Sequence, residues 1–225
     1  MRAWVIWSGL LVAILGGVGL FVYRDTEEVV TTEDFPVFEP EDDLAVGPQV
    51  ATFGNGCYWC TEAVFLQLNG VEKVVSGFSG GSVVNPTYEQ ISRGTTGHAE
   101  VIQITYDPKV ISYAELLEVF WRSHDPTTKD RQGHDVGPQY RSVIFTHTPK
   151  QRELAERYKR KMDEVKVFSK PIVTEIAEYE AFYPASASHQ NYFAKNQRQP
   201  YCRSVIQPKV DKMRKVFPEK VKAKS

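Results

Sequence analysis

The sequence predicts a single α/β domain of mixed strands and helices over residues 50–225. A membrane helix at residues 1–23 and an acidic tether at residues 24–49 are predicted to precede it. Three observations predict this organisation: residues 3–23 carry no charge, residues 24–49 hold nine acidic side chains against one arginine, and the rest alternates between strand-like and helix-like patterns. A hydrophobic content of 42% with 12% aromatic residues is typical of a globular protein.

The N-terminal apolar run is long enough for a membrane span. About 21 residues at roughly 1.5 Å each give a helix of roughly 30 Å, the thickness of a bilayer core. Met1-Arg2 also fits the start of a cleaved signal peptide, but no clear Ala-X-Ala site follows. We therefore expect a single-pass membrane anchor with the following domain on the outer side. Secretion after signal cleavage is the alternative.

The segment at residues 24–49 has a net charge of −8 and prolines at positions 36, 40 and 48. Such a segment buries too little apolar surface to offset its ordering entropy, which predicts a solvated, flexible tether. Residues 50–225 carry a net charge of +6. That positive charge shows no aromatic interleaving and no nucleic-acid motif, so we expect no nucleic-acid partner.

The first helix of the domain is predicted to begin at a cysteine. A short strand ends near Phe53, Gly54 and Gly56 predict a turn, and a helix runs from about Cys57 to Asn69-Gly70. A cysteine in the first turn lies beside unsatisfied N–H groups and the positive end of the helix dipole, which favours its thiolate. Cys57 is thus a candidate nucleophile, with a buried structural cysteine as the alternative.

A carboxylate follows in a predicted core strand. Strands are predicted at Glu72 to Phe78 and at Ala99 to Tyr106, and in the second the alternation puts Glu100 on the face of Ile102 and Ile104. Burial disfavours the charged form and raises the pKa of a carboxyl group, so Glu100 can hold a proton at neutral pH and act as a general acid. An exposed glutamate on an edge strand is the alternative.

The remaining elements follow from caps and apolar patterns. Ser112 to Glu115 is a capping box that begins a helix, and Thr148-Pro149 begins another. Further strands are predicted at Tyr140 to Phe145 and Lys170 to Ile176, and further helices at Ser188 to Lys195 and Val210 to Phe217.

Three other function classes compete with a thiol enzyme. The Cys57-X-X-Cys60 spacing fits a thioredoxin-type disulfide exchanger, but neither the short βαβ setting nor the cis-proline strand is recognisable. A metal site has weak support, because the five histidines and Cys202 show no paired ligand spacing. A membrane-tethered binding module would leave Cys57 and Glu100 without a role.

The motif Gly56-Cys57-Tyr58-Trp59 resembles the Gly-Cys-Phe-Trp signature of the A-type peptide methionine sulfoxide reductases. The similarity covers nearly all of residues 50–202. It continues through Gly80-Gly81, Asn85-Pro86-Thr87-Tyr88, Gly97-His98-Ala99-Glu100, Tyr106-Asp107-Pro108, His124-Asp125-Pro126-Thr127, Arg131-Gln132-Gly133, Asp135-Val136-Gly137 and Gln139-Tyr140-Arg141-Ser142. This resemblance implies a ferredoxin-like α/β sandwich, with a mixed sheet and flanking helices. It also implies reduction of methionine S-sulfoxide, free or in oxidised proteins, and thus protein repair. We expect a monomer.

The resemblance also implies residue roles. Cys57 attacks the sulfoxide sulfur and becomes a sulfenic acid, while Glu100 protonates the sulfoxide oxygen. Tyr88 and Tyr140 hold that oxygen by hydrogen bonds. The implied substrate pocket contains Tyr58, Trp59 and Asp135. No metal or other bound cofactor is expected, and the reducing equivalents come from a thioredoxin-like protein or a small thiol.

Two cysteines are candidates for the resolving thiol. Cys202, in Pro200-Tyr201-Cys202, resembles the C-terminal resolving cysteine of the family, although the following tail lacks the usual glycines. Cys60 stands where the family commonly has glycine, and a Cys-X-X-Cys pair at a helix start can close a disulfide with little backbone movement. The positional match favours Cys202 slightly, and both remain candidates.

Overall fold

The computed structural model describes residues 35–39 and 47–223 of the chain. Within these ranges, a six-stranded sheet carries helices, and two short strands form a separate hairpin. The strands are β1 (Gln49–Asn55), β2 (Val71–Ser79), β3 (Ala99–Tyr106), β4 (Arg131–Gln132), β5 (Asp135–Val136), β6 (Ser142–Thr146), β7 (Glu175–Glu178) and β8 (Phe182–Pro184). The helices are α1 (Tyr58–Phe65), α2 (Tyr88–Ser92), α3 (Tyr113–Arg122), α4 (Pro149–Glu164), α5 (Tyr192–Lys195) and α6 (Gln207–Val216).

The six-stranded sheet has the order β7-β6-β1-β3-β2-β8. Its neighbouring strands are antiparallel, except that β6 and β7 are parallel. From β1 to β6 the chain follows a β-α-β-β-α-β path through β1, α1, β2, β3, α3 and β6, with α2 and the β4-β5 hairpin inserted. This path and the strand order match the ferredoxin-like motif. The topology makes β1 and β3 neighbours at the centre of the sheet.

The central strand β3 separates two apolar layers. On one face Ile102 and Ile104 join the main core, and on the other face Val101 packs with Val143 and Phe145. Glu100 is only 2% exposed and contacts the backbone of α1, so it lies on the main-core face. The predicted alternation of this strand is therefore confirmed.

Two helix starts are confirmed at the residues that predicted them. The Ser112 hydroxyl accepts a hydrogen bond from the Glu115 N–H (3.2 Å), and Glu115 Oε2 accepts one from the Ser112 N–H (2.8 Å). The Thr148 hydroxyl accepts from the Gln151 N–H (3.1 Å), and Pro149 is the first residue of α4. Capping uses only neighbouring residues, so the sequence alone is sufficient to place it.

Several predicted boundaries in the C-terminal part are wrong. The strand predicted at Lys170 to Ile176 is observed at Glu175–Glu178, and the helix predicted at Ser188 to Lys195 begins only at Tyr192. The Gln190 side chain accepts from the Ser76 N–H (2.9 Å) and donates to the Ser76 carbonyl (2.8 Å), and Asn191 has a left-handed backbone (φ 52°). These long-range bonds hold the residues before Tyr192 in a non-helical path.

The final helix is also longer than predicted. A π-helical turn, Cys202–Ile206, runs directly into α6 at Gln207, ahead of the predicted start at Val210.

The predicted fold class and localisation require correction, because both included a membrane-spanning helix. No helix within residues 35–39 and 47–223 is long and apolar enough to cross a membrane. The 16-residue helix α4, for example, is rich in charged side chains and shorter than the ~20 residues that a span needs. The predicted anchor at residues 1–23 lies outside the described residues, as does most of the predicted tether at residues 24–49. The single-pass localisation and the membrane contact through an N-terminal helix are therefore not supported.

Candidate active site

The turn between β1 and α1 presents Cys57 at the start of a helix. Gly56 has a φ of +102°, and a Cβ atom there would lie 2.7 Å from the Gln132 side chain, so both conformation and space require glycine. Cys57 itself is the N-cap residue of α1, with an extended backbone (φ −61°, ψ 123°), and the helix begins one residue later than predicted. Cys57 therefore stands at the N-terminal end of α1, where its side chain makes no capping hydrogen bond.

Glu100 reaches this helix start from the neighbouring strand β3. Its Oε2 accepts a hydrogen bond from the Tyr58 N–H (3.1 Å), the first N–H after Cys57. Burial, and to a smaller extent the negative charges of Asp135 and Cys60, raises the pKa of Glu100 to about 8, against a lowering by the Tyr58 hydrogen bond. The direction agrees with the prediction from burial. Glu100 is therefore mostly protonated at neutral pH and holds a proton beside Cys57.

Cys57 and Cys60 form a hydrogen-bonded pair of thiols. Burial, followed by the contact with Cys60 and the charge of Glu100, raises the pKa of Cys57. The hydrogen bond with Cys57 lowers the pKa of Cys60, against its burial. These shifts oppose the thiolate that is expected on Cys57, because burial next to a carboxyl group outweighs the helix N-terminus. Of the two thiols, Cys60 is therefore the one that is more easily deprotonated.

Tyr88 and Tyr140 lie close enough to Glu100 and Cys57 to interact with their charges. Burial, and then the charges of Glu100 and Cys57, raises the pKa of both phenols. Both hydroxyl groups therefore stay protonated and can donate hydrogen bonds. Tyr88 comes from the first residue of α2, and Tyr140 ends a short 3₁₀ turn before β6. The structure thus brings four predicted catalytic residues from separate segments to one place.

Tyr201 links the thiol pair to Asp135. Its hydroxyl donates to Asp135 Oδ2 (2.8 Å) and lies 3.6 Å from Cys60 Sγ, which is within hydrogen-bond range for sulfur. The next residue, Cys202, is fully buried, and burial and the charge of Cys60 raise its pKa. All three cysteines are free thiols. Cys60 therefore interacts electrostatically with both Cys57 and Cys202.

Several aromatic side chains form a wall next to the thiol pair. The Trp59 ring stacks on Tyr192, with ring centroids 3.8 Å apart and planes 9° apart. The hydroxyl of Tyr58 is 2.6 Å from His189 Nδ1, and burial lowers the pKa of that imidazole. A neutral imidazole accepts the Tyr58 hydrogen bond on Nδ1. The His189 ring also lies 4.5 Å from Tyr88, so it joins two sides of the site.

The residues that complete this wall belong to one segment, residues 189–202, which we call the covering segment. Glu62 on α1 holds its start: Oε1 accepts from the Asn191 N–H (2.8 Å), and Oε2 accepts from the Tyr192 N–H (3.2 Å). Burial raises the pKa of Glu62, against a lowering by these two bonds. Tyr192 is thereby held against Trp59.

Three site residues were missed by sequence reasoning. Tyr201 precedes Cys202 in the quoted Pro200-Tyr201-Cys202 motif, so its neighbour was a usable signal. Glu62 lies one turn beyond Cys57 on the same helix, among buried residues, which is an informative position for an acid. His189 has no local signal, because its partner Tyr58 is 131 residues away in the chain.

Within residues 35–39 and 47–223, no group of three His, Cys, Asp or Glu side chains could hold a metal ion. The polar groups of the site are instead a thiol pair, a protonated carboxyl group and phenol hydroxyls. These are suited to proton transfer and sulfur chemistry.

Comparison with protein families gives a match over residues 49–221 to the family model described as peptide methionine sulfoxide reductase. A relative named peptide methionine sulfoxide reductase MsrA, from Saccharolobus solfataricus, is 53% identical over 174 residues, covering 77% of this chain and 97% of the relative. A relative of the same name from Leptospira borgpetersenii is 56% identical over 162 residues, covering 72% of this chain and 91% of the relative.

Solved structures with a similar fold carry related names. The reduced form of Mxr1 from Saccharomyces cerevisiae aligns with a TM-score of 0.64 at 32% identity, over 70% of this chain and 90% of that chain. Methionine sulfoxide reductase A of Corynebacterium diphtheriae aligns with a TM-score of 0.60 at 34% identity, over 73% and 84% of the two chains.

Proposed function

Because the chain belongs to the peptide methionine sulfoxide reductase family, we propose that Cys57 and Glu100 are its reacting pair. The chain is a thiol-dependent oxidoreductase that reduces methionine sulfoxide to methionine and acts in protein repair. The observation that carries the residue assignment is the contact at the start of α1. There, the buried carboxyl group of Glu100, whose pKa is about 8, accepts a hydrogen bond (3.1 Å) from the Tyr58 N–H, the first N–H after Cys57.

In the first step, the Cys57 sulfur attacks the sulfur of methionine S-sulfoxide while Glu100 gives its proton to the sulfoxide oxygen. The oxygen then transfers from the methionine sulfur to the Cys57 sulfur: its bond to the methionine sulfur and the transient bond between the two sulfurs break, methionine leaves, and Cys57 becomes a sulfenic acid. The methionine sulfur gains the two electrons that the Cys57 sulfur loses. Glu100 recovers a proton in place of the one that leaves the Cys57 thiol.

The thiol pair prepares Cys57 for attack. Cys57 must lose its proton, and burial opposes this. Cys60 has a lowered pKa and is the thiol of the pair that ionises more easily, so transfer of the Cys57 proton to the Cys60 thiolate is uphill and must be driven by the bond that Cys57 forms to the substrate sulfur. Proton transfer coupled to that bond formation activates Cys57 without adding a second negative charge to the buried site.

The substrate pocket follows from the surrounding side chains. Tyr58 and Trp59 provide an apolar wall for the substrate methyl group, and the hydroxyls of Tyr88 and Tyr140 donate hydrogen bonds to the sulfoxide oxygen. Donors aimed at an oxygen that gains charge stabilise the transition state more than the bound substrate. Asp135, held by Tyr201 at 2.8 Å, lines the polar side of the pocket.

Cys60 is the better-supported resolving thiol. It lies one helical turn from Cys57, to whose carbonyl its N–H donates (3.1 Å), and its lowered pKa favours the thiolate that must attack the sulfenic acid. This attack forms the Cys57–Cys60 disulfide and releases the oxygen as water. Two thiols from a thioredoxin-like protein, or from a small thiol, then reduce the disulfide. Cys202 keeps its positional match to the family and is the second candidate.

A single-turnover experiment without reductant tests these assignments. The full chain is mixed with excess methionine S-sulfoxide, methionine is counted per chain, and disulfides are mapped by mass spectrometry. We expect methionine and a Cys57–Cys60 bridge from the parent, no methionine from Cys57→Ser, and methionine without that bridge from Cys60→Ser. Cys202→Ser, the matched thiol control, should retain both products.

Two outcomes would contradict this proposal. A Cys57–Cys202 bridge that forms equally fast in the parent and in Cys60→Ser would transfer the resolving role to Cys202. A parent that forms no methionine would favour a disulfide exchanger or a binding module. We also propose that the reductase domain spans residues 50–225 and acts as a monomer, since one chain supplies every residue assigned here.

A further inference from the structure

A short segment ahead of the conserved domain lies packed on its surface. Residues Phe35, Pro36, Val37 and Phe38, which we call the FPVF segment, precede the family match that begins at residue 49. Phe35 and Phe38 are only 8% and 5% exposed, whereas Val37 between them is 76% exposed. Two buried aromatic anchors three positions apart, in an otherwise acidic stretch, indicate a specific contact.

The surface that receives these two rings consists of Arg122, Tyr158 and Phe168, which we call the aromatic groove. The Phe38 ring stacks on Tyr158, with centroids 4.0 Å apart and planes 21° apart. The Phe35 ring meets Phe168 edge-on at 5.9 Å, and the Arg122 guanidinium lies 4.0 Å from the Phe35 centroid. Both the stacked and the edge-on arrangement are favourable for aromatic rings, as is a cation over a ring face.

The groove is made by rigid parts of the fold. Arg122 ends α3, and its Nε is paired with Glu118 Oε1 at 3.0 Å, which fixes the guanidinium. Tyr158 lies on the buried face of α4, and Arg157 lies 5.2 Å from its ring. The groove thus presents two guanidinium groups to a stretch whose sequence is acidic, a combination that favours their association.

We propose that the aromatic groove is a docking site for the FPVF segment of the same chain. Docking of the two rings offsets the entropy lost by ordering these few residues. The N-terminal segment then leaves the domain at Phe35, next to α3 and α4, and not at the start of β1. With the segment docked, whatever precedes residue 35 is attached to the domain at Phe35 and not at residue 49. Its reach is therefore shorter by about 14 residues, or up to about 50 Å of extended chain.

Limited proteolysis of the full chain with a glutamate-specific protease tests the docking. The bond measured is the one after Glu41, because the bond after Glu39 precedes Pro40 and is resistant to such a protease. A protease holds several residues on each side of the bond that it cuts, so cleavage after Glu41 requires Phe38 to be released, and its rate follows the population of the undocked form. The double variant Phe35→Ser/Phe38→Ser and the groove variant Tyr158→Ala should be cut at Glu41 about tenfold faster than the parent, equal to about 1.4 kcal/mol of docking. Val37→Ser is the matched control and should be cut at the parent rate.

Two further measurements complete the test. Cleavage after Glu28 serves as an internal reference and should be equal in all variants, and unchanged reductase activity shows that each variant is folded. Equal cleavage at Glu41 in the parent and in the double variant would overturn the docking proposal. A cleavage rate in the parent that depends on protein concentration would overturn the intramolecular assignment, because the groove would then hold the segment of a second copy.

Discussion

The reacting residues and the covering segment are held in place by different kinds of interaction. Cys57 and Glu100 lie at the end of β1 and on β3, and β3 is bonded along its length to strands on both sides. The covering segment, residues 189–202, contains only the four-residue helix α5 before Tyr201. Its position depends on side chains of other elements, including Glu62 and Tyr58.

Because of this difference, substitutions in the two regions should affect different properties of the protein. The distance between Cys57 and Glu100 is determined by many backbone hydrogen bonds, so few single substitutions elsewhere should change it. The position of Tyr192 and Tyr201 depends on a few bonds, each of which one substitution can remove. Substitutions in the first region should therefore act on the chemical step, and substitutions in the second should act on substrate affinity and stability.

The largest effect is expected from Glu100→Gln. The substitution keeps the shape of the side chain but removes the proton that the sulfoxide oxygen receives, and general acids contribute about 10²- to 10⁴-fold to rate. We expect the single-turnover rate of methionine formation to fall by about that factor, with substrate affinity nearly unchanged. Rapid-quench measurement of methionine checks this. A variant that reacts at the parent rate would remove Glu100 from the role of general acid.

The pH dependence of the single-turnover rate, measured in the parent and in Glu100→Gln, provides the control. The folded pKa of Glu100 is about 8, well above its ordinary value of 4.5. The proton is present below about pH 8 and is lost above it, so the parent rate should carry a falling limb near pH 8 that Glu100→Gln lacks. The folded state also binds more protons than the unfolded state between pH 4.5 and 8. The free energy of unfolding should therefore decrease as pH rises through that window, and less so in Glu100→Gln.

An intermediate effect is expected from Glu62→Gln, which weakens the hold on the covering segment. Both carboxylate oxygens accept backbone N–H bonds, and an amide would direct its NH₂ group at one of these donors. We expect the free energy of unfolding to fall by about 1–3 kcal/mol and KM to rise severalfold, with kcat changed little. Thermal unfolding and steady-state kinetics measure these quantities. Glu72→Gln, on an exposed position of β2, is the matched control, and equal effects of the two substitutions would contradict the assigned role.

The sequence was most informative where local rules decide the structure. The capping box at Ser112 and the alternation around Glu100 depend on neighbouring residues, and both are observed. The protonation of Cys57 was predicted in the wrong direction, because the helix start is a local feature whereas burial and the proximity of Glu100 arise only in the folded chain. His189 was missed for the same reason, since its partner Tyr58 is 131 residues away in the chain.

The smallest effect is expected from Tyr58→Phe, which restores the phenylalanine of the family signature and removes one hydroxyl. That hydroxyl is bonded to His189 Nδ1 at 2.6 Å, so its loss should cost about 1 kcal/mol of stability and raise KM about two- to fivefold. Tyr113→Phe is the matched control, because the Tyr113 hydroxyl is buried without a hydrogen-bond partner among the described residues. Removing that unpaired hydroxyl should be neutral or stabilising. If both substitutions have the same effect, the bond between Tyr58 and His189 does not help to hold the covering segment. If only Tyr58→Phe raises KM, a single hydrogen bond between α1 and the covering segment contributes to substrate binding.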